Sequence, residues 1–318
     1  MDVVVAGSHG LIGSALVADL VARGHGVRRL VRRGSESSGV AESSGAAQSS
    51  GAAETAGPSD VRHVPWDPRT GELDPAAVDG ADAVVNLAGA GIGDHRWTPA
   101  YKQKLLGSRT TTTSLLARTI ARLDDPPVLV NASAVGAYGD RGDEVLTEAS
   151  ERGDDFLAGL VKAWESATAP AADAGARVVW LRSGIVLAPS GGALGRLLPL
   201  LRLGVGGPLG SGRQWWSWIT LTDEVAAIRH VIGADVRGPV NAVAPEPTTN
   251  RDLTRALAQA LYRPAALKVP TFALRIALGQ FAGDLVASQR VVPAVLSRTG
   301  FTWTHAAPEE AARWVVGH

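Results

Sequence analysis

A glycine-rich turn at residues 7–13 constrains this chain more than any other feature of its sequence. Val3, Val4, Val5 and Ala6 precede it as a short apolar run that reads as a buried strand. Residues 14–23 follow as an amphipathic helix, closed by Gly24, His25 and Gly26. Residues 27–31 then read as a second strand that ends in Arg32 and Arg33. Strand, glycine turn, helix and strand together form the βαβ unit that binds a dinucleotide. Gly7 lets the chain turn tightly off the strand, Gly10 leaves room for a pyrophosphate, and Gly13 lets the helix approach the sheet. Ser8, His9, Leu11 and Ile12 complete the candidate phosphate site, where the free N–H groups and dipole of a helix start favour an anion. His9 reads as a marker of the cofactor position rather than as a catalyst. The competing reading is a tight turn with a structural role alone.

The end of the second strand bears on which dinucleotide is held. A carboxylate there suits the ribose 2′-hydroxyl of NAD, whereas an arginine accommodates the 2′-phosphate of NADP. This chain offers Arg32 and Arg33 and no acid before Glu36. The planar guanidinium fork suits a phosphate, so NADP(H) is the expected cofactor. A solvated basic turn is the alternative.

Composition narrows the classes that remain. The 318 residues suffice for one large or two smaller domains with a buried core. Thirty-one basic residues balance 31 acidic ones, which gives no support to a nucleic-acid or acidic-membrane partner. Cysteine is absent, which excludes disulfides, thiolate catalysis and cysteine metal sites. Seven histidines are scattered without the spacing of a metal site. The first strand begins at residue 2, and no apolar run is long enough to span a bilayer. A soluble, cytoplasmic protein without a membrane partner is therefore expected. Its substrate is expected to be a small molecule, and self-association stays open.

Along the chain, residues 34–58 are almost entirely Gly, Ser, Ala and Glu, and they read as a flexible insertion after the second strand. Further strands are expected at 61–64, 83–87, 128–131, 178–182 and 239–243. Long helices are expected at about 99–122 and 155–173, with Asp154 or Asp155 capping the second, and Asn250 capping a later helix to Leu261. Ligands of a doubly wound sheet bind at the carboxyl ends of its strands. The small residues after Leu87 therefore line the expected groove, and Trp66 with Asp67 flanks the adenine end. Beyond Ser183 the βα alternation lapses, and Trp215, Trp216 and Trp218 cluster. These tryptophans read equally as a wall for an apolar substrate or as a packed junction.

These residues carry a family resemblance. The matching segments are 7–13, Asn86 to Gly89, Gly107-Ser108-Arg109, 153–156, Trp164-Glu165, 182–187, 204–212, 218–223, Val291-Val292-Pro293 and Gly300-Phe301. The chain resembles the extended short-chain dehydrogenases/reductases, and within them an atypical subgroup of epimerase family proteins. The resemblance covers nearly the whole chain apart from 34–58. It implies an α/β fold, a Rossmann doubly wound parallel sheet with a smaller C-terminal lobe covering the substrate. On that division residues 1–183, completed by 218–243, form the NADP-binding domain, and 184–217 with 244–318 form the lobe. Gly7, Gly10 and Gly13 would meet the pyrophosphate, and Arg32 or Arg33 the 2′-phosphate. Leu87, Ala88 and Gly89 would lie beside the ribose, and Ala132 and Ser133 near the nicotinamide. Arg182, Ser183, Gly184 and Ile185 would border the pocket, with Asp67 at the adenine.

One departure matters. Standard members of the superfamily place Tyr and Lys four residues apart on one helix face, where the tyrosine exchanges a proton and the lysine lowers its pKa. Counting back from Glu165 puts that pair at Leu157 and Val161, which can do neither. Lys162 is one position out, and none of the three tyrosines has Lys four residues later. Ser133 and Tyr138 are the candidate substitutes. The alternatives for them are a hydroxyl bonded to local backbone and a packed ring. Two functions follow: an NADP-dependent oxidoreductase or epimerase-like enzyme on a small carbonyl or alcohol, or a non-catalytic NADP(H)-binding sensor or scaffold. An epimerase proper rests on fold analogy alone.

Overall fold

The computed structural model of the chain describes residues 1–32, 61–195, 197–265 and 267–317. Arg33 and the 34–58 insertion lie outside the described residues. The strands of the central sheet are β1 (Asp2–Ala6), β2 (Gly26–Arg32), β3 (Val61–Trp66), β4 (Ala83–Asn86), β5 (Val128–Ala134), β6 (Val178–Ser183) and β7 (Gly238–Ala242). They lie in the order β3-β2-β1-β4-β5-β6-β7, and every ladder is parallel. The order reverses between β1 and β4, so the crevice of this Rossmann sheet opens where those two strands end.

The helices that bear on the site are α1 (Leu11–Ala22), α2 (Pro99–Ile120), α3 (Phe156–Ser166) and α4 (Leu221–Gly233). Successive side chains of a strand point to opposite faces, and β1 uses both. Val3 and Val5 join Leu16 and Leu20 of α1 and Ile228 and Val231 of α4. Val4 and Ala6 join Leu115, Leu116 and Ile120 of α2 on the other face. The three valines are fully buried, each stabilising the fold by ~1.5–3 kcal/mol. The glycine turn is thereby anchored to a strand buried on both faces.

Two expectations are corrected. The helix expected over 155–173 is two helices, α3 and Ala169–Asp173. Pro170 lacks an N–H and its ring conflicts with the carbonyl four residues back, so the chain is reset at Thr168, whose Oγ1 donates to Glu165 O at 2.7 Å. Asn250 is not a cap: Thr249 is, its Oγ1 accepting from the Asp252 N–H. Asn250 lies inside the first turn of helix α5 (Asn250–Ala260) and is fully buried, its Oδ1 accepting from Leu209 N at 2.8 Å. Asp155 does cap α3, accepting from Ala158 N.

A third apolar cluster stands apart from the sheet. Leu187, Leu194, Leu198 and Leu201 pack there with Trp216, Trp218, Leu253 and Leu257, and with Ala311 and Val315 of helix α6 (Pro308–Gly317). Trp218 is fully buried, and Trp216 donates its Nε1–H to Leu285 O. Both tryptophans are packing residues. Trp215 differs: its Nε1–H bonds Asp143 and its ring carries the Arg290 guanidinium. Among the described residues no helix is long and apolar enough to cross a membrane.

Candidate functional site

The glycine turn is built as its spacing requires. Gly7 has φ +81°, and a Cβ there would lie 2.7 Å from the Leu87 carbonyl. At Gly13 a Cβ would lie 2.2 Å from Gly7 O. Gly10 is different. A Cβ there meets only Gly7 O, at 3.4 Å, so the space in front of it is open. Gly10 is also the N-cap of α1 and supplies no side chain to satisfy the first N–H groups, which belong to Leu11, Ile12 and Gly13. Ser8 is fully buried and its Oγ has no hydrogen-bond partner, while His9 beside it is exposed. Uncapped N–H groups, an orphaned hydroxyl and an open cradle at a helix start fit a pyrophosphate. Leu11 touches Gly192, which folds the loop after Ile185–Leu187 against the turn.

At the far side of β2, Arg32 is exposed and in register with Trp66. Asp67 lies one residue beyond that pair, in a turn closed by its bridge to Glu72. Its carboxylate accepts from the backbone and side chain of Arg69, and the Arg69 bonds lower its pKa.

The loop after β4 is held by a buried amide network. Asn86 Nδ2 donates to Asn131 Oδ1 at 2.7 Å and to Thr113 Oγ1 at 2.9 Å, and Trp164 Nε1 donates to the same threonine. Asn86 Oδ1 accepts from Ala88 N, which fixes Leu87, Ala88 and Gly89 over the strand end. Ala90 N donates to Ser108 Oγ at 3.0 Å.

Beyond β5 lies a charged network with no counterpart in the sequence reading. Glu165 of α3 is buried and receives four donors. Arg182 binds it through Nε at 2.9 Å and Nη2 at 3.1 Å, Ser133 donates at 2.6 Å, and Arg152 completes the set. Arg182 Nη1 donates to the Tyr138 oxygen at 3.0 Å, and Tyr138 donates to Asn241 Oδ1 at 2.7 Å. Glu148 closes the network by accepting from the backbone of Asn241 and Val295. Burial lowers the Arg182 pKa, but its bonds to Glu165 and Tyr138 outweigh this and leave it raised. Burial pushes the Tyr138 phenol up. Tyr138 is fully buried, and both its donor and its acceptor are engaged within the protein.

The helix face that would carry Tyr and Lys is apolar. Leu157 packs against Gly136, where a Cβ would be 3.3 Å away, and Val161 is buried. Lys162 is exposed, as its position one residue off that face implies. Trp97, Phe156 and Phe281 meet edge-on or tilted beside this face. Of the bordering residues, Ser183 donates to Glu224 Oε1 at 2.5 Å, and Gly184 lies so close to Ser217 O that a Cβ would be 2.5 Å from it. Glu224 is fully buried, its second oxygen unpartnered, and burial raises its pKa to about 7.

The sequence reading passed over Glu165 as an acceptor, Glu224 and Arg152, and gave Arg109 no role beyond its place in a matching segment. For Arg109 a signal existed: it falls four residues after Leu105 and seven before Leu116 on the buried stripe of α2. Among the described residues no cluster of His, Cys, Asp and Glu could hold a metal ion.

Residues 3–243 match the family model described as NAD dependent epimerase/dehydratase, and residues 269–315 match a domain of unknown function, DUF1731. The chain is 44% identical over 305 residues to epimerase family protein Mb2239 of Mycobacterium bovis, covering 95% of this chain and 93% of that protein. It is 35% identical over 310 residues to Homo sapiens epimerase family protein SDR39U1, covering 96% of each. The crystal structure of human SDR39U1 (isoform 2) with NADPH superposes with a TM-score of 0.83 at 31% identity, covering 100% of this chain and 99% of that one.

Proposed function

The chain belongs to the NAD-dependent epimerase/dehydratase family, and from that premise we propose that it is an NADP(H)-dependent oxidoreductase or epimerase-like enzyme acting on a small carbonyl or alcohol. The observation that carries this reading is the open cradle at Gly10, flanked by two positions where any Cβ would strike backbone. The human relative that superposes over the whole chain holds NADPH, which supports the same cofactor here.

When bound, the cofactor supplies the hydride donor or acceptor. The first N–H groups of α1 and the Ser8 hydroxyl bind the pyrophosphate. Arg32 meets the 2′-phosphate, with Arg33 as the second candidate. Leu87, Ala88, Gly89 and Ala132 exclude water from the ribose side, and residues 182–185 border the substrate. Asp67, already bonded to Arg69, belongs to the adenine rim. Residues 184–217 and 244–318 serve as the substrate-covering lobe. Ser133 Oγ, bonded to Glu165 Oε1, is the group assigned to hold a proton. Tyr138 is assigned to position Arg182 and Asn241 around it.

A second reading is a non-catalytic NADP(H) sensor or scaffold. It is favoured by the apolar Leu157 and Val161 and by the commitment of both candidate hydroxyls to buried partners. Deuteride transfer from 4-labelled NADPH to a carbonyl panel separates the two. Labelled product, lost in Ser133→Ala, supports the enzyme. Tight NADPH binding with no label in any product leaves only the sensor.

A further inference from the structure

Three arginines, one buried and two part-buried, show how this fold can pair a cation. Arg182 has Glu165 on two of its nitrogens, Arg28 has Asp2 at 2.6 Å, and Arg177 donates to Val231 O and Ile232 O at the end of α4 and to Val236 O just beyond it. Arg109 has no such arrangement. It sits in mid-α2, only 8% exposed, and no carboxylate lies within ion-pair distance of it among the described residues. Its Nη1 donates to Leu105 O one turn back, at 3.1 Å. Its Nε has no partner, and Nη2 bonds to nothing among the described residues. Burial brings its pKa down to about 10, which still leaves it charged at neutral pH. A desolvated cation without a counter-charge is a standing cost to the fold unless something supplies the charge.

Its placement indicates what does. The guanidinium sits over Trp164, its central carbon 4.9 Å from the ring centroid. Gly89 passes directly over it: a Cβ on Gly89 would be 3.3 Å from Arg109 Cζ and 3.4 Å from Nη1. Gly89 is exposed and follows β4, at the switch point of the sheet where doubly wound proteins take their ligands. The Asn86 network fixes the loop from below, and the back-bond to Leu105 fixes the fork. A planar, oriented guanidinium behind a residue with no side chain is suited to an oxyanion.

We infer that Arg109 is an anion ligand: with Gly89 it forms a site for an oxyanion, either a phosphate of the bound dinucleotide or an acidic group of the substrate. The inference rests on the NADP(H) reading above for the first source and is independent of it for the second. Trp164 and Leu105 O orient the fork, and the ligand supplies the missing charge.

The test compares wild type with Arg109→Met and Arg109→Lys, using NADPH, inorganic pyrophosphate and inorganic phosphate as probes in calorimetric titrations and thermal melts. Without ligand, Arg109→Met is expected to melt no lower than wild type, because it removes an unpaired buried charge. If the dinucleotide is the source, NADPH binds about 30-fold more weakly to Arg109→Met, and the melting shift given by pyrophosphate disappears. Arg109→Lys recovers only part of both. If the substrate is the source, NADPH binding is unchanged, while the stabilisation that phosphate gives the NADPH-loaded protein is lost in both variants. Equal affinity of wild type and Arg109→Met for all three probes overturns the inference. So does an Arg109→Met protein that melts well below wild type while binding NADPH and phosphate normally, since Arg109 would then be structural. Failure of wild type to bind NADPH overturns the cofactor reading instead, and the two inorganic probes still decide Arg109.

Discussion

The two ends of the proposed ligand groove are made of different materials. At the Gly7–Gly13 end the constraint is backbone against backbone, with Cβ positions 2.2 to 2.7 Å from main-chain atoms. At the β5–α3–β6 end it is side chain against side chain, with buried Glu165 drawing together Ser133, Arg182 and the part-exposed Arg152. The first kind of site tolerates only glycine at positions 7 and 13 and is local in sequence. The second is long-range, and any member can change identity if its partners change with it. A family can therefore keep its cofactor end and rebuild its chemical end, as the apolar Leu157 and Val161 of this chain illustrate.

The contrast can be broken hardest at Glu165. Glu165→Leu leaves the buried Arg182 without its carboxylate and is expected to cost about 3–5 kcal/mol in chemical denaturation. If a double variant, Glu165→Leu with Arg182→Met, recovers most of that loss, the network is a matched set rather than a sum of contacts. Equal losses in single and double variants would mean the cluster is not coupled.

Glu224 gives the next effect, through pH. Its pKa is raised to about 7, so the stability associated with its neutral form is full below about 4.5 and is lost as pH rises through 7. Glu224→Gln is expected to flatten the fall and to gain up to about 3 kcal/mol over wild type at pH 8. Asp284, also raised to about 7 by burial and then by Asp155, titrates in the same window, so part of the slope persists. An unchanged pH–stability curve in Glu224→Gln would place the carboxylate in solvent.

Two glycine variants sharpen the other side. Gly13→Ala forces a methyl to within 2.2 Å of Gly7 O and should cost about 1–3 kcal/mol even without ligand. Gly10→Ala is the smallest change and the most discriminating. Its methyl meets only Gly7 O at 3.4 Å, so the melting temperature should hold while NADPH affinity falls. A Gly10→Ala protein that binds NADPH normally would put the pyrophosphate elsewhere.

The same contrast explains what was legible beforehand. Val3 to Val5, the three glycines, Arg32 and Arg33 are read within one short stretch of chain, because each answers a local steric or electrostatic demand. The parallel sheet follows from the βα alternation, and its order from the rules of doubly wound folds. Glu165 was visible as a helix landmark, but its donors come from positions 133, 152 and 182, and no spacing rule links those numbers. Ser133 was singled out by its position at the end of β5 and Tyr138 as a phenol beyond it, but the buried partners of both were not legible. Pro170 was a readable stop signal inside an otherwise persuasive helix, and Thr249 outdid Asn250 because its φ/ψ is extended and Asn250 is already needed by Leu209.

The bond from Tyr138 to Asn241 spans 103 residues, and it has a consequence for how the molecule is made. A chain emerging from the ribosome presents β1 to β6 in order, each from β2 onward able to pair with a strand already synthesised. Asn241 arrives with β7, the edge strand that closes the sheet beside β6. Until then the phenol of Tyr138 lacks its acceptor and the flank of Arg182 stays uncovered. The glycine cradle can thus assemble early during translation, whereas the chemical end is completed only once residue 241 has been made.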